Sequence, residues 1–281
     1  MKSEGNTYDL LYNPRLSVPD FAQIAQRWND DSANARSLLD CYLDVPYGEN
    51  DAEKIDVFRA QGASKGLLVF IHGGYWRAQD KAGYSFLARA LTQAGVTLAI
   101  PNYSLCPKVE VRDIVMQMVQ ACAWLYRNGS HFGAPVDRLF VCGHSAGGHL
   151  TAMMLTCLWP IYAADLPPRL IRAGLSISGI FDLREIVKVP SINCDVRLRR
   201  RDAIPISPAL LPPATESPLH LIVGGGETAG FLFQHDLMRD KWKSCLAEDI
   251  TMAGDNHFTV LENLTDAESQ VFQSALRMMG I

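Results

Sequence analysis

The sequence predicts an α/β fold, a mostly parallel central sheet with helices on both faces. Three observations carry the prediction. Short β-rich runs alternate along the chain with stretches of helical periodicity, the order produced by parallel strands joined through crossover helices. At 281 residues, 48% of them apolar, the chain can bury a large core. A strand-like run also passes directly into a helical one through a glycine-flanked serine, Gly143-His144-Ser145-Ala146-Gly147. No repeat, low-complexity tract or Gly/Ser linker divides the chain, so residues 1–281 are expected to form one domain.

Residues 1–50 precede the first predicted strand as an N-terminal extension. Within it Phe21, Ile24, Ala25 and Trp28 recur at helical spacing, a face that packs either on the sheet or beside the mouth of a site. Strands are predicted at residues 55–58, 67–71, 97–100, 139–142, 173–177, 219–223 and 249–252, each a short β-branched or apolar run bounded by Gly, Pro or polar residues. Between them, Ile114, Met118, Cys122 and Leu125 step at three or four residues, as do Phe231, His235, Met238 and Trp242. Both series read as helix faces packed on the sheet.

Composition narrows the function. A formal net charge of -4 offers no broad basic face for nucleic acid, so the expected partner is a small molecule. The seven cysteines show no CxxC or CxxH spacing, which argues against a zinc site or redox pair and for free thiols in a reducing compartment. The N-terminal MKSEGNTYDLLYNP lacks an apolar signal core, and no apolar run is long enough to span a membrane. A cytoplasmic protein that does not engage membranes is expected. A homodimer is compatible with the sequence but not indicated by it.

A serine hydroxyl is a weak nucleophile that needs exposure and a neighbouring base. A tight strand-to-helix turn supplies the exposure, and Gly143 and Gly147 are the residues its sterics demand, leaving Ser145 to project at the sheet's carboxyl end. The run at residues 67–71 ends in His72-Gly73-Gly74, where backbone N–H groups can approach a developing oxyanion. Gly73 and Gly74, the latter the firmer, together with the Ala146 N–H, are the expected donors. His72 is expected to brace that loop.

Chain order places the base after the last strand, which selects His257. His144 and His149 flank the serine too closely to reach it in line, and packing roles suit them. Glu227, just past the strand at 219–223, leads among carboxylates that could orient His257. Asp182 is its rival, and Asp236 falls inside a helix.

With these residues in view the chain resembles the α/β-hydrolase superfamily and, within it, the kynurenine formamidase (arylformamidase) branch related to lipase-like HGG esterases. The resemblance rests on HGGYW at 72–76, PNYSLCP at 101–107, GHSAGGHL at 143–150, SGIFDL at 178–183, ISP at 206–208 and GDNHF at 254–258. It implies the α/β-hydrolase fold and cleavage of N-formyl-L-kynurenine to kynurenine and formate in tryptophan breakdown, often with aryl esters as further substrates, and no metal or cofactor. It carries the nucleophile onto Ser145, the base onto His257 and the acid position onto Glu227, which is an Asp in animal members. That Glu is a departure, as are the stretch 193–206 and the glycine run 224–226.

Trp76, Tyr103, Phe181 and Phe258 follow strand ends and are expected to wall a substrate pocket, although core packing accounts for them equally. Arg197, Arg199, Arg200 and Arg201 form a cluster that suits a solvated surface face better than a carboxylate site. Two other functions fit the same residues. One is a broader carboxylesterase or amidase. The other is a non-catalytic ligand-binding relative, which would normally have lost the serine or the histidine that this chain keeps.

Overall fold

The computed structural model describes residues 4–281. The chain opens with α1 (Glu4–Tyr12) and α2 (Phe21–Leu38), separated by a 3-10 turn at Pro14–Leu16, and enters the sheet as β1 (Cys41–Pro46), β2 (Lys54–Phe58) and β3 (Gly66–Ile71). There follow α3 (Ala88–Gln93), β4 (Val96–Pro101), α4 (Val111–Asn128), β5 (Leu139–His144), α5 (Ala146–Thr156), the short α6 (Trp159–Tyr162) and β6 (Ile171–Ile177). The last third runs through α7 (Pro190–Val196), α8 (Arg200–Ala203), β7 (Leu219–Gly224), α9 (Ala229–Lys241), β8 (Leu246–Met252), α10 (Thr259–Glu262) and α11 (Gln270–Met279).

The eight strands form one sheet in the order β1-β2-β4-β3-β5-β6-β7-β8. Every pairing from β4 to β8 is parallel, whereas β2 runs against both its neighbours. Alternation within one strand shows why the sheet is covered twice. Leu67, Val69 and Ile71 of β3 enter one core with Met118 and Cys122 of α4 and Leu150 and Met154 of α5. Leu68 and Phe70 enter the other, with Ile24 and Trp28 of α2, Leu91 of α3 and Phe272 of α11. A strand buried on both faces reads as a continuous apolar run, which is what GLLVFI is.

All seven predicted strands are present, extended by up to three residues. The addition is β1, which lies inside the N-terminal extension and was not predicted. It is an edge strand whose side chains are mostly exposed, so its sequence lacks the apolar alternation that marks the others. Among the described residues no helix is long and apolar enough to cross a membrane. The cysteines are free, with Cys106, Cys122 and Cys142 buried and Cys194 exposed.

Because β3 and β5 to β8 are parallel, their carboxyl ends share one edge of the sheet. The loops leaving that edge carry His72-Gly73-Gly74, Ser145, Ser178, Glu227 and His257. Convergence of such loops is the general origin of sites in open α/β sheets.

Candidate active site

Ser145 sits between β5 and α5 with φ 59° and ψ -118°, a left-handed conformation that a non-glycine residue adopts only under constraint. The constraint is close backbone packing: a Cβ on Gly147 would fall 1.9 Å from the Ile71 carbonyl oxygen. The turn aims the serine at a cavity of about 350 Å3, which Ser145, His144, His257, Phe258 and Gly74 line together with residues of the N-terminal segment. It also sets Ala146 as the first residue of α5, where the helix dipole and a free N–H favour negative charge.

The loop after β3 closes against the serine. A Cβ on Gly73 would lie 2.9 Å from the His144 carbonyl oxygen and 3.1 Å from the Ser145 Cβ, so a glycine lets the loop approach the serine turn this closely. Gly74 has φ 102°, and a Cβ there would strike the Ala78 carbonyl oxygen at 2.2 Å. Tyr75 and Trp76 follow with φ 52° and 57°, a strained run typical of functional loops. His72 is fully buried, with Nδ1 2.8 Å from the Gly73 carbonyl and Nε2 3.1 Å from Asn102 Oδ1. Burial pushes its pKa down, and its place bears out the bracing role. Burial raises the Tyr84 phenol above its ordinary value, and Tyr84 lines the cavity beside Gly74.

Glu227 and His257 meet from neighbouring loops. The His257 Nδ1–H donates to Glu227 Oε2 at 2.6 Å, and both side chains are buried. The other carboxylate oxygen, Oε1, accepts from the Gly224 N–H at 3.0 Å and from the Ser178 hydroxyl. The glycine run lets the two loops touch, since a Cβ on Gly224 would lie 2.6 Å from the Asp255 carbonyl oxygen. His257 is further held by Phe231, ring centroids 4.2 Å apart, and by His144, whose Nε2–H donates to the His257 carbonyl at 2.7 Å. Burial and the neighbouring His257 lower the His144 pKa to about 3, so it is a neutral strut.

The rival acids are engaged elsewhere. Asp182 is clamped by Arg184 through contacts of 2.7–3.2 Å, and Asp236 pairs with Arg239 at 2.6 Å. His149 donates to the Ile206 carbonyl at 2.8 Å and, with a pKa lowered by burial to about 4, is also a neutral packing residue.

Of the four predicted wall aromatics, the structure puts only Phe258 on the cavity. Trp76 is fully buried, edge-on to His149 with ring centroids 5.1 Å apart. Tyr103 stacks on His72 at 4.2 Å and donates to the His72 carbonyl at 2.9 Å, so it supports the loop from behind. Phe181 folds back over Gly179 into the core. Arg197, Arg199, Arg200 and Arg201 are exposed and absent from the cavity, with Arg199 paired to Asp202.

The cavity walls come instead from Tyr75, Tyr84, Arg77, Ile192 and Asp195 and from Asn13, Pro14, Arg15, Phe21 and Trp28 of the N-terminal segment. The helical spacing of Phe21 and Trp28 is thus met beside the site mouth as well as in the core. Phe21 packs on Phe258 with centroids 4.4 Å apart, and the Trp28 Nε1–H donates to Glu262 at 2.8 Å. Ser178 was part of a quoted motif, yet its hydroxyl contact with Glu227 had no sequence signal, because it depends on a left-handed φ of 52°.

Comparison with known proteins agrees with this architecture. Residues 68–192 match a family model described as an alpha/beta hydrolase fold. The chain is 29% identical to the kynurenine formamidase of Danio rerio, over 96% of this chain and 92% of that protein. It is 35% identical to the esterase LipC of Mycobacterium tuberculosis, but over 49% of this chain and 35% of that protein. Among solved structures, a proposed thioesterase from Silicibacter sp. TM1040 superposes with a TM-score of 0.80 at 32% identity, covering 94% of this chain and 96% of the other.

Proposed function

The chain belongs to the α/β-hydrolase family, and on that premise we propose that it is a serine hydrolase cleaving an aryl formamide, N-formyl-L-kynurenine, to kynurenine and formate. The observation that carries this reading is His257, held through Nδ1 by Glu227 at 2.6 Å on the cavity that Ser145 also lines. The choice of substrate leans on the formamidase relative, matched over nearly its whole length, and on the aromatic cavity wall. Residues 1–281 act as one catalytic domain in this reading, because the N-terminal segment supplies part of that wall.

Glu227 Oε2 accepts from His257 Nδ1–H and so keeps that proton on Nδ1, which leaves Nε2 free to accept. Ser145 Oγ attacks the formyl carbon as its proton passes to His257 Nε2. The carbonyl π pair moves onto oxygen, where the Gly74 and Ala146 N–H groups, with Gly73 behind them, stabilise the charge. The C–N bond then breaks, and the imidazolium gives its proton to the departing arylamine, a better leaving group than an alkylamine. Water, deprotonated by the same imidazole, attacks the formyl carbon; the C–Oγ bond breaks as the imidazolium returns its proton to Ser145 Oγ, and formate leaves. Two neutral histidines nearby, His144 and His149, do not compete for that proton.

A second reading, a broader ester or thioester hydrolase, is favoured by the proposed thioesterase at 32% identity. Formate release from N-formyl-L-kynurenine by wild type and Ser145→Ala, with p-nitrophenyl acetate alongside, separates the two. Formate release that vanishes in Ser145→Ala supports the formamidase. Ester turnover without formate release supports the second reading, and full activity in Ser145→Ala refutes both.

A further inference from the structure

Behind the loop that follows β3 lies a buried phenol to which the acyl-transfer steps give no part. Tyr103 is 1% exposed and lies flat on the His72 ring, with planes within 9° of parallel. Its hydroxyl reaches two successive carbonyl oxygens, those of His72 at 2.9 Å and Gly73 at 3.2 Å. The Gly73 oxygen is also met by His72 Nδ1 at 2.8 Å, and further along the Cys106 N–H donates to the Trp76 carbonyl at 2.8 Å. The segment after β4 thus grips the loop after β3 at two places. Burial holds the Tyr103 phenol well above its ordinary pKa, so its hydroxyl keeps the proton it donates.

In a trans peptide the C=O of one residue and the N–H of the next lie in one plane and point in opposite directions. The His72 carbonyl therefore shares a rigid unit with the Gly73 N–H, and the Gly73 carbonyl shares one with the Gly74 N–H. A single donor that holds both carbonyls on the core side turns both N–H groups away from the core, and beyond the loop lies the cavity that Gly74 and Ser145 line. Successive N–H groups on one side of a chain form a concavity suited to an anion. Glycine leaves the peptide planes free to rotate, so at this position their direction has to be imposed from outside.

We propose that Tyr103 is a positioning residue for the reaction, whose hydroxyl pins the His72 and Gly73 carbonyls and thereby aims the Gly73 and Gly74 N–H groups at the oxyanion. The inference rests on the proposed acyl transfer at Ser145 and adds to it the residue that sets the direction of the oxyanion donors. His72 alone does not suffice, because its Nδ1 reaches only the Gly73 carbonyl.

Tyr103→Phe tests this by removing one oxygen while keeping a ring to stack on His72. On whichever of N-formyl-L-kynurenine and p-nitrophenyl acetate the wild type cleaves, kcat should fall about tenfold, less than the hundredfold or more that loss of a donor costs, with KM within about twofold. Phenylboronic acid adds to a serine hydroxyl as a tetrahedral anion, so its affinity should fall by a similar factor of about ten. Tyr47→Phe is the control. It deletes another buried phenol oxygen, one that donates to the Asn102 carbonyl at 2.6 Å rather than to the loop, and should keep kcat and boronate affinity within about twofold. An unchanged kcat in Tyr103→Phe, a loss carried by KM with boronate affinity intact, or an equal loss in Tyr47→Phe overturns the inference, and serine-dependent turnover by the wild type then leaves the proposed function standing. Turnover that survives Ser145→Ala refutes the proposed function and this inference with it. If Tyr103→Phe does not fold, a crystal structure of the wild-type boronate adduct decides. A boronate oxygen on the Gly74 N–H, with Tyr103 still on the Gly73 carbonyl, supports the inference, and a boronate oxygen away from both loop N–H groups overturns it.

Discussion

Replacing Glu227 by Gln leaves the side chain's shape and removes its charge. In the wild type the carboxylate accepts on both oxygens, from His257 Nδ1 at 2.6 Å through Oε2, and from Gly224 N and the Ser178 hydroxyl through Oε1. Both Oε1 partners are donors, so the amide oxygen takes that side and the amide NH2 faces His257. The imidazole must then accept at Nδ1 and carry its proton on Nε2, where it blocks uptake of the serine proton. Locking the wrong tautomer in a Ser-His-acid arrangement costs about 10^3 to 10^4 in kcat, equivalent to about 4 to 5.5 kcal/mol of barrier. Glu227→Asp tests the same contact by length: withdrawing the carboxylate by up to about 1.5 Å, one C–C bond, opens the 2.6 Å contact to roughly 4 Å, past the hydrogen-bond limit. Steady-state kinetics on p-nitrophenyl acetate measures both variants, with Asp182→Asn as the control. Because Asp182 is occupied by Arg184, the control should keep kcat within about threefold. A Glu227→Gln enzyme retaining a tenth of wild-type kcat, or a larger loss in Asp182→Asn, would refute the assignment.

Gly74→Ala should lower kcat about a hundredfold per folded molecule and also destabilise the fold, because a Cβ at φ 102° is strained, meets the Ala78 carbonyl at 2.2 Å and shifts the proposed oxyanion donor. A variant with unchanged kcat would remove Gly74 from that role. Acid should destabilise the fold well before carboxylates titrate. His144 and His149, held by burial at about 3 and about 4, stay neutral when folded and take up protons near pH 6.5 when unfolded, so their contribution is complete above that pH and lost as pH falls toward 4. About two protons bound on unfolding at pH 5 corresponds to a loss of about 2 to 3 kcal/mol per pH unit, with the same sign from His72 and His220. Urea unfolding at pH 7, 6 and 5 measures it, and a stability that is flat over this range contradicts the burial of these imidazoles.

Much of the scaffold was legible because its signals are local. GLLVFI and LFVCGH are apolar runs that only a doubly covered strand needs, and the glycines around Ser145 answer a steric demand within one turn. His257 and Glu227 were legible through chain order, which follows from strand order. What was hidden is side-chain direction beyond a strand's end. Trp76 and Tyr103 follow strands toward the site and yet turn away, a choice made by two consecutive left-handed residues and by stacking on His72. Neither leaves a mark in composition. The cavity wall at Arg15, Phe21 and Trp28 was equally hidden, since helical spacing identifies a face without identifying what covers it.

That wall has a consequence for how the protein is made. The cavity closes where the beginning of the chain meets its end: Phe21 lies on Phe258, while Arg27 and Trp28 both bind Glu262, more than 230 positions away. In the proposed reading a chain that ends before residue 257 lacks both the base and the segment on which Phe21, Arg27 and Trp28 close the cavity, so it should not hydrolyse p-nitrophenyl acetate.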